Sequence, residues 1–112
     1  MFKIIFQKDL QNIPDPVIAP HIIEHFQYLI TTYKDYCPDH SIQALGMIVL
    51  IESEDDLKRY QEWELVAPVA DRDFEWFFRL ENDYFEGGVV LDNDRAIHLI
   101  GKEKYFRSII GE

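Results

Sequence analysis

Three residues near the amino terminus have the types and the spacing to hold a metal ion. The segment HIIEH places His21 and His25 four positions apart, with Glu24 between them, in an H-x-x-E-H arrangement. Positions i and i+4 of a helix share one face, so two imidazoles could bind zinc while the carboxylate acts as a general base. This chemistry would require both imidazoles to face a cleft and a third ligand to come from elsewhere in the chain.

The pattern resembles that of the inverted zinc metallopeptidases, whose third ligand is a glutamate far downstream, a role that Glu103 could fill. Those enzymes are much larger than a chain of 112 residues, which has no room for their substrate-binding cleft. In the predicted helix, the H-x-x-E-H pattern also faces away from the core. At about 100° per residue, His21 and Glu24 lie opposite the apolar stripe, and His25 lies near its edge. We therefore interpret HIIEH as an exposed polar face and expect no metal, no cofactor and no catalytic residue.

Two further segments could do chemistry but do not fit their templates. Residues 92–103 match the first, third and twelfth ligand positions of a calcium-binding loop, but Ala96 and Ile97 occupy the fifth position and the glycine position. A hairpin turn explains the segment better. Cys37 and His40 could be a nucleophile and its base, but a thiol at a helix carboxyl end has no reason for a lowered pKa.

The remaining sequence predicts a single α+β domain over residues 1–112. Apolar residues at spacings of three and four indicate an amphipathic helix that starts after Asp15 and Pro16. The apolar run QALGMIVLI is typical of a strand covered on both faces, and DFEWFFRLE alternates as a half-buried strand does. The predicted elements are a strand at 2–6, a helix at 17–36, a strand at 43–51, a helix at 53–63, a strand at 73–81, a two-stranded hairpin around 92–95 and a helix within 102–110.

This order, β-α-β-α-β-β-β-α, predicts a mixed sheet of four to five strands with two or three helices packed on it. We expect the first two strands to be parallel and joined by a right-handed crossover through the long helix. Gly87 and Gly88 predict a bulge or bend where the hairpin begins. His98, inside the apolar run AIHLI, is interpreted as a half-buried strand residue rather than a ligand.

Acidic side chains are interleaved with aromatic ones through the second half of the chain. Residues 52–94 hold fourteen acids and four bases, a balance of −10 that equals the net charge of the whole protein. A charged rim around aromatic anchors is typical of a protein interface. Phe77 is predicted to point away from Trp76 and Phe78, either into such an interface or beneath a covering helix. The predicted partner-binding residues are Glu62, Trp63, Glu64, Asp71, Asp73, Glu75, Phe77, Glu81, Asp83, Tyr84 and Glu86.

These features favour a small acidic protein-binding module, such as an inhibitor or immunity-type protein that neutralises a basic partner, for example a nuclease. A self-associating structural domain, forming a homodimer, is the second hypothesis, and a small metal-dependent enzyme is the third. The negative field disfavours direct binding of nucleic acid or of an anionic membrane. The single cysteine and the absence of a signal-peptide or membrane-spanning pattern predict a cytoplasmic protein.

Overall fold

A computed structural model of the chain describes residues 2–59, 76–92 and 95–107. In these ranges five strands form one mixed sheet in the order β1-β2-β5-β4-β3, so the predicted α+β class is confirmed. Short 3₁₀ turns connect several of the strands and helices. The elements are β1 (Phe2–Ile4), α1 (Ala19–Thr32), β2 (Gly46–Ile51), α2 (Glu54–Arg59), β3 (Trp76–Arg79), β4 (Tyr84–Asp92) and β5 (Arg95–Lys102).

The sheet has a hydrophobic core on each face. All six residues of β2 are buried, as expected for a strand covered on both sides. Ile48 and Leu50 belong to the core beneath α1, which also contains Ile22 and Phe26 of that helix. The opposite face is a second core, consisting of Met47, Val49, Ile51, Phe85, Val89, Ile97, Leu99 and Phe106.

The first two strands are antiparallel, so the predicted parallel crossover through α1 is wrong. Phe2 pairs with Leu50 and Ile4 with Ile48. After α1 the chain does not return to the start of β1. Instead it forms 3₁₀ turns at 34–36 and 38–40 and comes back beside the end of β1, where the Ile42 N–H donates to the Ile5 carbonyl at 2.9 Å. The parallel neighbour of β2 is β5, in register from Gly46 with Ala96 onward.

The start of α1 is tied to the sheet through Asp15. Its Oδ1 accepts a hydrogen bond from the Val17 N–H at 3.0 Å, and its Oδ2 accepts one from the Tyr84 hydroxyl of β4. Asp15 therefore caps the turn at 16–18 that leads into α1 and ties this turn to the sheet. The residue that precedes the helix itself is Ile18, which provides no side-chain cap, so a helix that begins directly after Asp15 is not what the structure shows. The α-helical segment is shorter than predicted, because it starts at Ala19 and gives way to a 3₁₀ turn after Thr32.

The predicted hairpin is confirmed, because Asp92 of β4 pairs with Arg95 of β5. The two glycines do not form the predicted bulge. Gly87 and Gly88 lie in regular register with β3 and β5, and the irregularity falls between Val90 and Asp92. Gly88 is required for another reason. The indole of Trp76 packs against it, and a Cβ built at Gly88 would be 2.0 Å from the Trp76 ring.

Two predicted helices are described only in part. Asp56, in the first turn of α2, accepts a hydrogen bond from the Glu52 N–H at 2.7 Å, in keeping with the predicted helix start. The remainder of that prediction, residues 60–63, lies outside the described residues. At the carboxyl end a 3₁₀ turn occupies Glu103–Phe106, and residues 108–110 of the predicted helix also lie outside them. No helix in the described ranges combines the length and the apolar character needed to cross a bilayer.

We predict that Gly88→Ala destabilises the protein by about 1–3 kcal/mol, because the new methyl group would displace the Trp76 indole. Chemical denaturation measures the loss. In a Trp76→Ala background the same substitution should cost less, because the three atoms nearest to the added Cβ all belong to the Trp76 indole. An equal cost in both backgrounds would show that the indole contact is not what requires a glycine.

Candidate metal centre

Two helical imidazoles and one strand carboxylate meet where α1 crosses β4. His21 and His25 lie one turn apart on α1, and Glu86 projects from β4 towards the helix. Alternation along β4 places Glu86 on the same face as Tyr84, whose side chain belongs to the core beneath α1. The two histidines lie beside the apolar stripe of α1, outside the hydrophobic core. At that point the sheet presents the Glu86 carboxylate to the helix.

The separations in this cluster fit a shared small cation. His25 Nδ1 lies 3.2 Å from Glu86 Oε1, and His21 Nε2 lies 3.6 Å from Glu86 Oε2. One ligand atom from each of the three residues lies within 4.8 Å of the other two. A tetrahedral zinc ion with bonds of about 2.0–2.1 Å holds its ligand atoms roughly 3.3 Å apart, so little movement would complete the coordination.

Glu86 is the buried charge of the cluster, with 2% of its surface exposed. Burial alone would raise the pKa of its carboxyl group. The contact with His25 and the positive charge that His25, His21 and His98 can carry outweigh burial and hold the pKa below its ordinary value of 4.5. Glu86 is therefore an anion at neutral pH, enclosed in protein and dependent on neighbouring positive charge.

Hydrogen bonds within the described residues do not satisfy this cluster. His21 Nε2 and Glu86 Oε1 are both buried and have no hydrogen-bond partner there. His25 Nδ1 approaches Glu86 Oε1 to 3.2 Å without meeting the full geometry of a hydrogen bond, so we treat this approach as an electrostatic contact. Buried polar atoms without partners are uncommon and indicate that something is bound there or that the group has a chemical role.

A third imidazole and an indole form the wall beside the cluster. The ring of His98 meets that of His25 edge to face, with 4.6 Å between centroids, and Trp76 lies 5.3 Å from His98 on the other side. Strand register explains why Trp76 and His98 lie side by side, because Gly88 pairs with both of them. Burial is the main cause that lowers the pKa of His98, to about 4, so this ring is uncharged at neutral pH.

The cluster reaches solvent on the side of His21. That side chain is 37% exposed, whereas Glu86 is enclosed. His21 also lines a surface pocket of about 330 Å³, together with Glu24 and Glu81. His21 therefore joins the cluster to the surface, while its Nε2 atom faces inward to Glu86.

The orientation predicted for HIIEH is wrong in one respect. Glu24 is exposed, as expected, but the Nε2 atom of His21 is buried against Glu86 rather than directed to solvent. The helical phase alone predicts that His21 lies opposite the core, because it assumes that the sheet covers only the apolar stripe of α1. The sheet is wider than that stripe and also covers the helix surface beside it. Glu103, considered as a downstream ligand, instead pairs with Arg79 at 2.7 Å.

The predicted partner-binding residues do not form one described surface. Phe77 is 59% exposed, and Glu81 and Asp83 are also exposed. Tyr84 and Glu86 are each 2% exposed, because they face α1, so they are removed from the set of surface residues. The other predicted members lie outside the described residues, and they are Glu62, Trp63, Glu64, Asp71, Asp73 and Glu75.

We predict that His98 makes the metal-free protein sensitive to acid. Between pH 6.5 and pH 4 the unfolded chain binds a proton at this imidazole that the folded protein does not, so the free energy of unfolding decreases as the pH falls through that window. His98→Phe should remove about 2–3 kcal/mol of this decrease, as measured by urea denaturation in EDTA at several pH values. His40→Phe, at an exposed position, is the control. Parallel pH profiles for the wild type and His98→Phe would contradict the prediction.

No protein-family model, no curated protein and no solved structure matches this chain. The chemistry of the site therefore has to be inferred from its own geometry.

Proposed function

We propose that this protein binds a divalent transition-metal ion, with zinc as the best fit, through His21, His25 and Glu86. The observation that carries the proposal is the convergence of three ligand atoms within 4.8 Å around polar atoms that lack hydrogen-bond partners in the described residues. A bound cation would provide partners for these atoms and would compensate the buried carboxylate.

The ligand chemistry selects the class of metal. Two imidazole nitrogens and one carboxylate oxygen suit zinc and its first-row neighbours, whereas magnesium and calcium prefer oxygen ligands alone. Three protein ligands leave a fourth tetrahedral position for water or another small ligand, as in zinc sites that are open rather than purely structural. The overall charge of −10 also favours the approach of a cation.

Zinc should raise the melting temperature of the EDTA-treated protein, and magnesium should not. Removal of a ligand by His25→Ala or Glu86→Gln should weaken zinc binding by more than about 100-fold, as measured by isothermal titration calorimetry. Affinity should also fall as the pH is lowered, because protons compete with the metal for the imidazole nitrogens.

Two matched variants serve as controls for this experiment. Glu24→Gln removes a carboxylate from the same helix, and His40→Ala removes an exposed imidazole; neither residue belongs to the cluster. Both variants should bind zinc like the wild type. If Glu86→Gln binds zinc as tightly as the wild type but destabilises the metal-free protein, the cluster is an internal ion pair and the proposal is wrong.

A second candidate function is the binding of a basic protein partner. The observation that favours it is the exposure of Phe77 on the edge strand β3, at 59%, close in sequence to exposed Glu81 and Asp83. Aromatic anchors beside carboxylates are the elements of an electrostatically steered interface, as in an inhibitor of a nuclease or a toxin. Self-association of this strand as a homodimer is the alternative use of the same surface.

Affinity capture from the native lysate should recover a basic protein. The association rate of that purified partner with this protein should fall about tenfold or more between low and high salt. Phe77→Ala should weaken that complex, and Glu81→Gln with Asp83→Asn should reduce its salt dependence. Tyr28→Ala, which removes an exposed aromatic side chain from α1, is the control. Capture that is unaffected by all the β3-side variants would contradict this function, and a dimer by sedimentation that Phe77→Ala dissociates would favour self-association.

A further inference from the structure

A recess lies on the surface where the chain leaves β1 and where it returns to enter β2. It has a volume of about 450 Å³, within the roughly 300–1,000 Å³ that is usual for small-molecule sites. Backbone bonds hold its two sides together. Phe6 and Ser41 form an antiparallel bridge, and the neighbouring Ile42 N–H donates to the Ile5 carbonyl at 2.9 Å. The recess is therefore fixed by the same connection that brings the chain back beside β1.

Most of the surface of this recess is apolar. Two aromatic side chains, Phe6 and Tyr36, line it and are 40% and 58% exposed, so both rings offer surface to a ligand. Pro38 and Ala44 also line it. A compact apolar body would be desolvated against these side chains.

Asp39 gives the recess a carboxylate that is open to a ligand. The residue is exposed, and within the described part of the chain its carboxylate accepts no hydrogen bond and forms no ion pair. The backbone of Asp39 and of His40 is in the left-handed region, with φ of 58° and 53°, which residues other than glycine adopt uncommonly. Such conformations are maintained by the surrounding structure and cluster at functional sites. The turn thus presents an unpaired carboxylate beside two aromatic rings.

The charges around the recess favour a cation as its occupant. The protein has a net charge of −10, and Asp39 is the acidic residue that lines this surface. The Phe6 ring already has an ammonium group of the chain near its face, because Lys8 Nζ lies 5.4 Å from the ring centroid. The Tyr36 ring has no such cation among the described residues, so its face is the one left for a ligand.

We propose that this recess binds a small organic ammonium ion with a planar apolar body. The ammonium group lies between the Asp39 carboxylate and the face of Tyr36, and the body packs against Phe6 and Pro38. Aromatic faces attract ammonium ions, and a carboxylate forms a charge-assisted hydrogen bond with them. The inference does not depend on metal binding, because none of the three metal-ligand residues lines the recess.

The experiment uses the full chain in EDTA, with benzylamine as the probe and benzyl alcohol as its uncharged counterpart of the same shape. Backbone NMR shifts should saturate with benzylamine and be centred on Tyr36, Ser41 and Ala44. The affinity for benzylamine should be about fivefold or more above that for benzyl alcohol, as expected for one exposed ion pair with one cation–π contact. This preference should decrease as the salt concentration rises.

Two variants test the assigned contacts. Asp39→Asn should abolish the preference for benzylamine and keep the fold, because asparagine also tolerates the left-handed conformation. Asp35→Asn removes an exposed carboxylate that does not line the recess and should preserve the preference. Tyr36→Leu should weaken benzylamine binding more than benzyl alcohol binding. Tyr28→Leu, at a position on α1 with a similar exposure of 61%, should change neither.

Three results would overturn the proposal. They are the absence of saturable shifts at these residues, equal affinity for the two probes, and a preference for benzylamine that survives in Asp39→Asn. A dimer in sedimentation that Tyr36→Leu dissociates would also overturn it, because the recess would then be an interface between two copies of the chain. Glu86→Gln separates the two sites, since it should lose zinc binding and keep benzylamine binding.

Discussion

The fold has to accommodate one ionised carboxylate that is enclosed between a helix and a sheet. Glu86 is the third residue of β4, one strand from the centre of the sheet, and is 2% exposed. Enclosing such a charge costs several kcal/mol unless positive charge compensates it. The nearest groups come from one helix, whose successive turns present His21 and His25 at 3.6 and 3.2 Å from the two carboxylate oxygens, either as charged partners or as co-ligands of a bound cation. Where α1 lies on the sheet is therefore set by charge as well as by hydrophobic packing.

Several sequence features become intelligible around this carboxylate. Asp15 holds the start of α1 against Tyr84, two residues before Glu86, and so fixes the turn that carries His21. Gly88, two residues after Glu86, leaves space for the indole that encloses His98. Strand alternation puts Tyr84, Glu86 and Gly88 on one face, where each meets a different part of the protein. Together they place a polar cluster at the border of the core.

The sequence predicted the elements well and their contacts poorly. The buried run of β2, the hairpin at Asp92 and Arg95 and the existence of α1 follow from periodicity and turn chemistry, which are local. The direction of β1 relative to β2 depends on how a connection of some forty residues returns to the sheet, and no local signal specifies that.

The cluster of His21, His25 and Glu86 does not follow from the sequence patterns, because its members are distant in sequence and those patterns assign them to different surfaces. His21 and His25 were placed on an exposed helical face, and Glu86 was counted with an acidic surface. One signal could have linked them. Glu86 interrupts an otherwise apolar strand, YFEGGVVL, and a carboxylate within a strand buried on both faces needs a partner. That signal predicts a buried charge, but its partners can be identified only when the helix is placed on the sheet.

The most direct test of the metal centre is X-ray absorption spectroscopy of the zinc-loaded protein at the zinc edge. Our account predicts a first shell of nitrogen and oxygen atoms at about 2.0–2.1 Å, outer-shell scattering from two imidazoles, and no sulfur. A shell of water oxygens alone, or a sulfur ligand from Cys37, would contradict it.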